Sequence, residues 1–75
     1  MAGLTKRSLT IAGHRTSLAL ELEFWDALDN IAAARNLPLA ALVREIDEQR
    51  GGEGTLSSAV RVHALDWFRS GSARR

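Results

Sequence analysis

From Ser8 to Leu20 apolar residues alternate with small or polar ones, first Leu9 and Ile11, then Leu18 and Leu20. A period of two is that of a strand with one buried face. The two pairs differ in parity, so one straight strand would send them to opposite faces. Gly13-His14 lies between them and reconciles them in either of two ways. A bulge resets the alternation by one residue. A two-residue turn with Gly13 as its first central residue makes a hairpin in which Ile11 faces Thr16 and Leu9 faces Leu18. Both solutions stay open, with a break at Gly13.

The period then changes to that of helices. Phe24, Leu28, Ile31 and Arg35, flanked by Trp25 and Ala32, recur every three or four residues, which predicts an amphipathic helix over about 21–35. Glu21, Glu23 and Asp26 fall at its positive end. Asn36 can adopt the left-handed conformation that ends a helix, and Pro38 blocks continuation. A second helix starts at Pro38 or Leu39 and carries Leu39, Leu42, Val43 and Ile46 on one stripe, fading near Arg50. Gly51-Gly52-Glu53-Gly54 is a breaker. A third helix runs from Leu56 or Ser57 to Arg69, with Leu56, Val60, His63, Ala64, Trp67 and Phe68 on one side. Trp25, Trp67 and Phe68, at helical spacing, are expected as core or dimer contacts rather than base-stacking groups. Residues 1–7 read as a flexible basic arm, 8–69 as the domain, and 70–75 as a disordered tail. The expected class is mainly α with a short β-ribbon.

Composition sharpens this picture. A chain of 75 residues makes one thin core, and with no cysteine it has no disulfide or thiolate–metal staple. Its total charge of +1 hides an uneven distribution: residues 1–20 carry +3, residues 21–53 carry −5, and residues 54–75 carry +3. Such asymmetry points to an anionic partner at the basic end. No apolar run reaches the ~20 residues of a membrane helix. The basic start leads into an alternating segment rather than a signal-peptide core, so a cytoplasmic protein with no membrane partner is expected. No Ser-His-Asp set, phosphate-binding glycine loop or metal-ligand cluster appears, and neither catalysis, metal nor cofactor is expected.

A lone strand cannot satisfy its own backbone groups. If Gly13 is a bulge, Arg15–Leu20 needs a partner strand, which an identical chain supplies by two-fold antiparallel pairing. A hairpin would still leave an open edge on a ribbon that is marginal alone. A homodimer or higher oligomer is expected either way.

Several runs carry a family resemblance. Lys6–Ile11 (KRSLTI), Gly13–Glu21 (GHRTSLALE), Glu23–Leu28 (EFWDAL), Ile31–Arg35 (IAAAR), Leu39–Val43 (LAALV) and Glu45–Asp47 (EID) are followed by Leu56–Ala59 (LSSA) and Arg61-Val62. This arrangement resembles the ribbon-helix-helix family of Arc- and MetJ-like proteins, and in particular an uncharacterised bacterial subgroup. The resemblance implies an intertwined dimer, here with an additional C-terminal helix, whose paired strands enter the major groove of double-stranded DNA. It implies base reading by Arg15, Ser17 and Ala19, with Thr16, Leu18 and Leu20 turned inward. Arg15 suits guanine, Ser17 reads loosely, and Ala19 offers a methyl to thymine. Phosphate contacts fall to Lys6 and Arg7 on the arm, to His14, and to the amides of Leu39 and Ala40 at the second helix. Arg61 and Arg69 are further candidates for flanking phosphate. Pro38 departs from the family pattern, because a hydroxyl residue is common there and would cap the helix. The core and dimer set is Thr16, Leu18, Leu20, Trp25, Leu28, Leu42, Val43, Ile46 and Trp67. A transcriptional regulator follows. The alternative is an antitoxin-like or scaffold module whose C-terminal helix docks on a partner protein.

Overall fold

In a computed structural model, which describes residues 3–71, the chain runs β1 (Leu4–Ile11), β2 (His14–Glu21), α1 (Leu22–Ala34), α2 (Leu39–Arg50) and α3 (Leu56–Arg69). The two strands form one antiparallel ribbon. Residues 1–2 of the expected arm and 72–75 of the expected tail lie outside the described residues. The first strand begins at Leu4, so residues 4–7, which the sequence suggests are an arm, belong to the ladder. Thr5, Thr10 and Ile11 supply the β-branched side chains that favour such a segment.

Of the two solutions at the break, the hairpin forms, with its turn one residue earlier than expected. Ala12 and Gly13 are the central pair, and both have positive φ, 53° and 84°. A two-residue turn of type I′ requires this at both positions, and its twist matches the ribbon's own. Ile11 therefore faces His14 and Leu9 faces Thr16, with Leu4 opposite Glu21 at the open end. Each partner moves two places from the expected register, which leaves the choice of faces unchanged. The partner that β2 needs is thus β1 of the same chain.

Inner-facing Leu9, Ile11, Thr16, Leu18 and Leu20 meet the helices. Ile11, Leu18 and Leu20 are buried with Trp25, Leu28, Ile31 and Ala32 of α1, Leu42, Val43 and Ile46 of α2, and Val60 and Ala64 of α3. Leu9, Phe24, Leu39, Leu56 and Trp67 pack around this cluster. Trp25 is fully buried, and its indole Nε1–H donates to the Thr5 carbonyl at 2.7 Å. Burying an aromatic of this size with its polar atom paired anchors α1 to the ribbon. Phe68, expected on the packed side of α3, is 44% exposed. Its position lies a further turn towards the helix end, past the last core layer at Ala64.

Helix ends follow local chemistry. Asn36, at φ 59°, closes α1, with the Asn36 amide donating to Ala33 and the Leu37 amide to Ala32. That pair of bonds is a Schellman ending, and Leu37 adds its side chain to the core. Pro38 is the cap of α2 rather than its first helical residue. Its carbonyl accepts from the amides of Ala41 and Leu42. Gly51 ends α2 in the left-handed region, and the Thr55 hydroxyl caps α3 by accepting from the Ser58 amide.

Candidate nucleic-acid interface

The hairpin register decides which side chains share the ribbon's outer face. Residues directly opposite one another lie on the same side, and alternate residues lie on the other. Since Ile11, Leu18 and Leu20 point to the helices, the outer face carries the pairs Leu4–Glu21, Lys6–Ala19, Ser8–Ser17 and Thr10–Arg15. Lys6, Ser8, Thr10, Arg15 and Ser17 are exposed and Ala19 is half-buried. At its β2 edge the face is bordered by the start of α3, where Leu56, Ser57 and Arg61 line a hollow with Leu4, Ser17 and Ala19. Short side chains occupy its middle, and a cation stands at opposite corners, Lys6 on β1 and Arg15 on β2. Leu4, 58% exposed at the open end, is its one large apolar member.

Arg15, Ser17 and Ala19 thus lie together on the open face, as expected, and Lys6 joins them. Other expected phosphate contacts lie elsewhere. Arg7 falls on the helix side, where its guanidinium sits 4.6 Å over the Trp25 ring and 3.5 Å from the Asp29 carboxylate. A cation held by a ring face and a carboxylate is turned from the outer surface. His14 is exposed beside the turn, in the inner register opposite Ile11. Leu39 and Ala40 form the first turn of α2, also on the helix side. Their amides precede the first intrahelical bonds, and no side chain caps them.

Glu21 is the one acidic residue of the ribbon. Its Oε1 accepts from Arg61 Nε at 3.0 Å and Nη2 at 2.9 Å. Its carboxyl is held below the ordinary range, first by a backbone hydrogen bond and then by Arg61. Arg61, expected at a flanking phosphate, is thereby committed to Glu21 and to the ring of Phe24, 5.7 Å away. The effect on the outer face is that its carboxylate is compensated by α3, leaving Lys6 and Arg15 to set the sign of the field.

Ser8 and Thr10 are the residues that sequence reasoning did not assign to this face. The signal was present: once the segment is a two-residue hairpin, every polar position alternating with Leu9 and Ile11 must face outward with Arg15 and Ser17.

A family model described as ribbon-helix-helix domain matches residues 4–68. A solved structure, that of an uncharacterized protein from Bordetella pertussis Tohama I, is similar to this chain at 30% sequence identity and a TM-score of 0.80. The likeness covers 93% of this chain and 59% of that one, so this chain spans under two thirds of that protein's length. No curated protein matches the chain. With the family model running from the first strand to the last turn of the third helix, the chain belongs to the ribbon-helix-helix family.

Proposed function

We propose that this chain is a sequence-specific DNA-binding protein, a transcriptional regulator that lays the outer face of its β-ribbon in the major groove. The ribbon-helix-helix family is in general one of DNA-binding regulators that act as dimers and are typically not enzymes. The carrying observation is the outer face itself: exposed at Lys6, Ser8, Thr10, Arg15 and Ser17, short-chained in its middle, cationic at Lys6 and Arg15, with its carboxylate engaged by Arg61. A major groove about 12 Å wide admits a two-stranded ribbon. Arg15 then reads guanine, Ser17 accepts or donates, Ala19 meets a thymine methyl, and Lys6 neutralises a phosphate. His14 and the α2 amides of Leu39 and Ala40 are secondary phosphate contacts in this reading. Arg7, held against Trp25 and Asp29, is left out of this reading.

A homodimer is part of the proposal. Among the described residues, the edge of β2 away from β1 is unpaired within the chain, and an edge strand tends to find a partner. A second copy joined there by two-fold pairing of β2 with β2 makes a four-stranded sheet, in which the two central β2 strands are the two-stranded ribbon of the expected dimer that enters the groove and each β1 lies at its rim.

The test is a binding titration against duplexes from the protein's own promoter region at two salt concentrations. Arg15→Ala should relax sequence preference, costing about 1–3 kcal/mol of discrimination at one base pair. Lys6→Ala should weaken all duplexes alike and lower the salt slope by about one. Indifference of all three proteins to sequence would refute base reading.

A second reading, a protein-docking role for α3, has one observation in its favour. Val62, Leu65 and Phe68 are 53%, 51% and 44% exposed along that helix. If a partner protein covers them, Leu65→Glu abolishes its co-purification and leaves the DNA titration unchanged. Loss of DNA binding in that variant would count against a separate docking surface.

A further inference from the structure

Resting on the DNA-binding dimer proposed above, we infer that Ser8 and Thr10, with Lys6, make β1 a phosphate-binding edge. The two central β2 strands meet the bases, and each β1 grips one wall of the groove.

The lateral geometry of the sheet supports this division. Neighbouring strands lie about 4.8 Å apart, so with two β2 strands astride a two-fold axis each β1 stands about 7 Å from it. The two β1 strands are then about 14 Å apart, against a major groove about 12 Å wide. They overlie the sugar–phosphate walls, while β2 overlies the base edges.

The hairpin register decides what β1 offers there. In a two-residue hairpin the pair flanking the turn, here Ile11 and His14, is a hydrogen-bonded one. Alternation makes Thr10–Arg15, Ser8–Ser17 and Lys6–Ala19 the pairs that exchange no backbone hydrogen bonds. The amides of Lys6, Ser8 and Thr10 therefore point away from β2, to the outer edge of β1. No strand pairs with that edge among the described residues. On β2 the same alternation turns the amides of Arg15, Ser17 and Ala19 to the opposite edge, where the second copy joins. Each of the three β1 residues thus combines an amide N–H at the rim with a side-chain donor on the outer face. All three are exposed, and they recur about every 7 Å along the strand.

The chemistry suits an anion better than another strand. A lysine at a free edge discourages further strand pairing. Glu21 is the one acidic residue of the ribbon, and Arg61 engages its carboxylate. Amide and hydroxyl donors are ordinary phosphate contacts, which fix register on the duplex without reading its sequence. Serine and threonine are short enough to let the rim approach the wall closely. The row also acts independently of the start of α2, where Pro38 brings no N–H and no side chain caps the helix.

The test compares Ser8→Ala and Thr10→Val with the hydroxyl-retaining Ser8→Thr and Thr10→Ser, all in the full-length protein. Each is titrated against a preferred duplex and an unrelated duplex of equal length. Circular dichroism with a thermal melt confirms folding, and sedimentation confirms the dimer. Ser8→Ala and Thr10→Val should each bind about 3- to 10-fold more weakly, equally on both duplexes. Their salt slope should stay that of the unsubstituted protein, because no charge is lost. Ser8→Thr and Thr10→Ser should restore most of the affinity. A second probe replaces one phosphate at a time by a neutral methylphosphonate. Unsubstituted protein should lose affinity at two sets of positions, one on each wall, and Ser8→Ala should be insensitive at one position of each set. A changed base preference in either β1 variant, or undiminished affinity in both, overturns the inference while the DNA-binding reading stands. If the unsubstituted protein binds no duplex, or binds only as a monomer, that reading falls and takes this inference with it.

Discussion

Ala12 is a residue in an uncomfortable place. An L-residue at φ 53° brings its Cβ against the following carbonyl, at a cost of roughly 1–2 kcal/mol. The turn needs that conformation, and the neighbouring Gly13 meets the same demand at φ 84° without a side chain. Asparagine tolerates the left-handed region, and Asn-Gly is the preferred pair for this turn. Ala12→Asn should therefore stabilise the fold by about 1 kcal/mol, raising the melting temperature of a chain this size by roughly 4–8 °C. A thermal melt that fell instead would mean that the alanine is not strained. This residue also shows where sequence reasoning stops short. Gly13 marked the break correctly, but an alanine carries no turn signal, and the central pair was expected one position later. The β2 side chains, by contrast, were placed on the correct faces, because Leu18 and Leu20 fix parity whichever residue turns.

At the scale of elements, the three helices were legible within a residue or two, since each has its own stripe and its own ending. Asn36 closes α1 as its chemistry suggests, and Gly51 closes α2. The first strand was legible only from Ser8 onward. Lys6 and Arg7 look like a basic tail in isolation, and only pairing with β2 and the Trp25–Thr5 hydrogen bond give that stretch a place in the ladder. Long-range pairing also explains why the partner of Arg61 was not legible in the sequence. Its partner Glu21 is forty residues away and belongs to another element. The ion pair is about a third exposed, so solvent screens it and its worth to stability is small. Its electrostatic effect on the ribbon is larger, because removing Arg61 leaves a bare carboxylate on the face that meets phosphate. Arg61→Met should change the melting temperature little while weakening duplex binding several-fold at low salt, measured by titration. A matching loss of binding and stability would show that the arginine acts only through the fold.

Across the whole molecule, paired carboxylates tie the layers together. Arg35 at the end of α1 grips Glu45 of α2 through Nη1 to Oε2 at 2.6 Å and Nη2 to Oε1 at 3.0 Å. Hydrogen bonding to Arg35 holds the Glu45 carboxyl below its ordinary value of 4.5. Glu21 is lowered likewise, by its backbone hydrogen bond and by Arg61. A group whose folded value is depressed binds its proton more readily when unfolded. Its contribution is complete above the unfolded value and fades as pH falls towards the folded one. Stability should therefore be level near neutrality and decline below about pH 4.5, and Glu45→Gln should flatten part of that decline in melts recorded across pH. The ribbon closed within one chain has its own bearing on how such a surface can change. Where two copies share a ribbon, every substitution is made twice, and each trial of a new contact carries its mirror image. In this hairpin a change at position 10 leaves position 15 untouched, so within each copy the two rows of side chains are free to diverge.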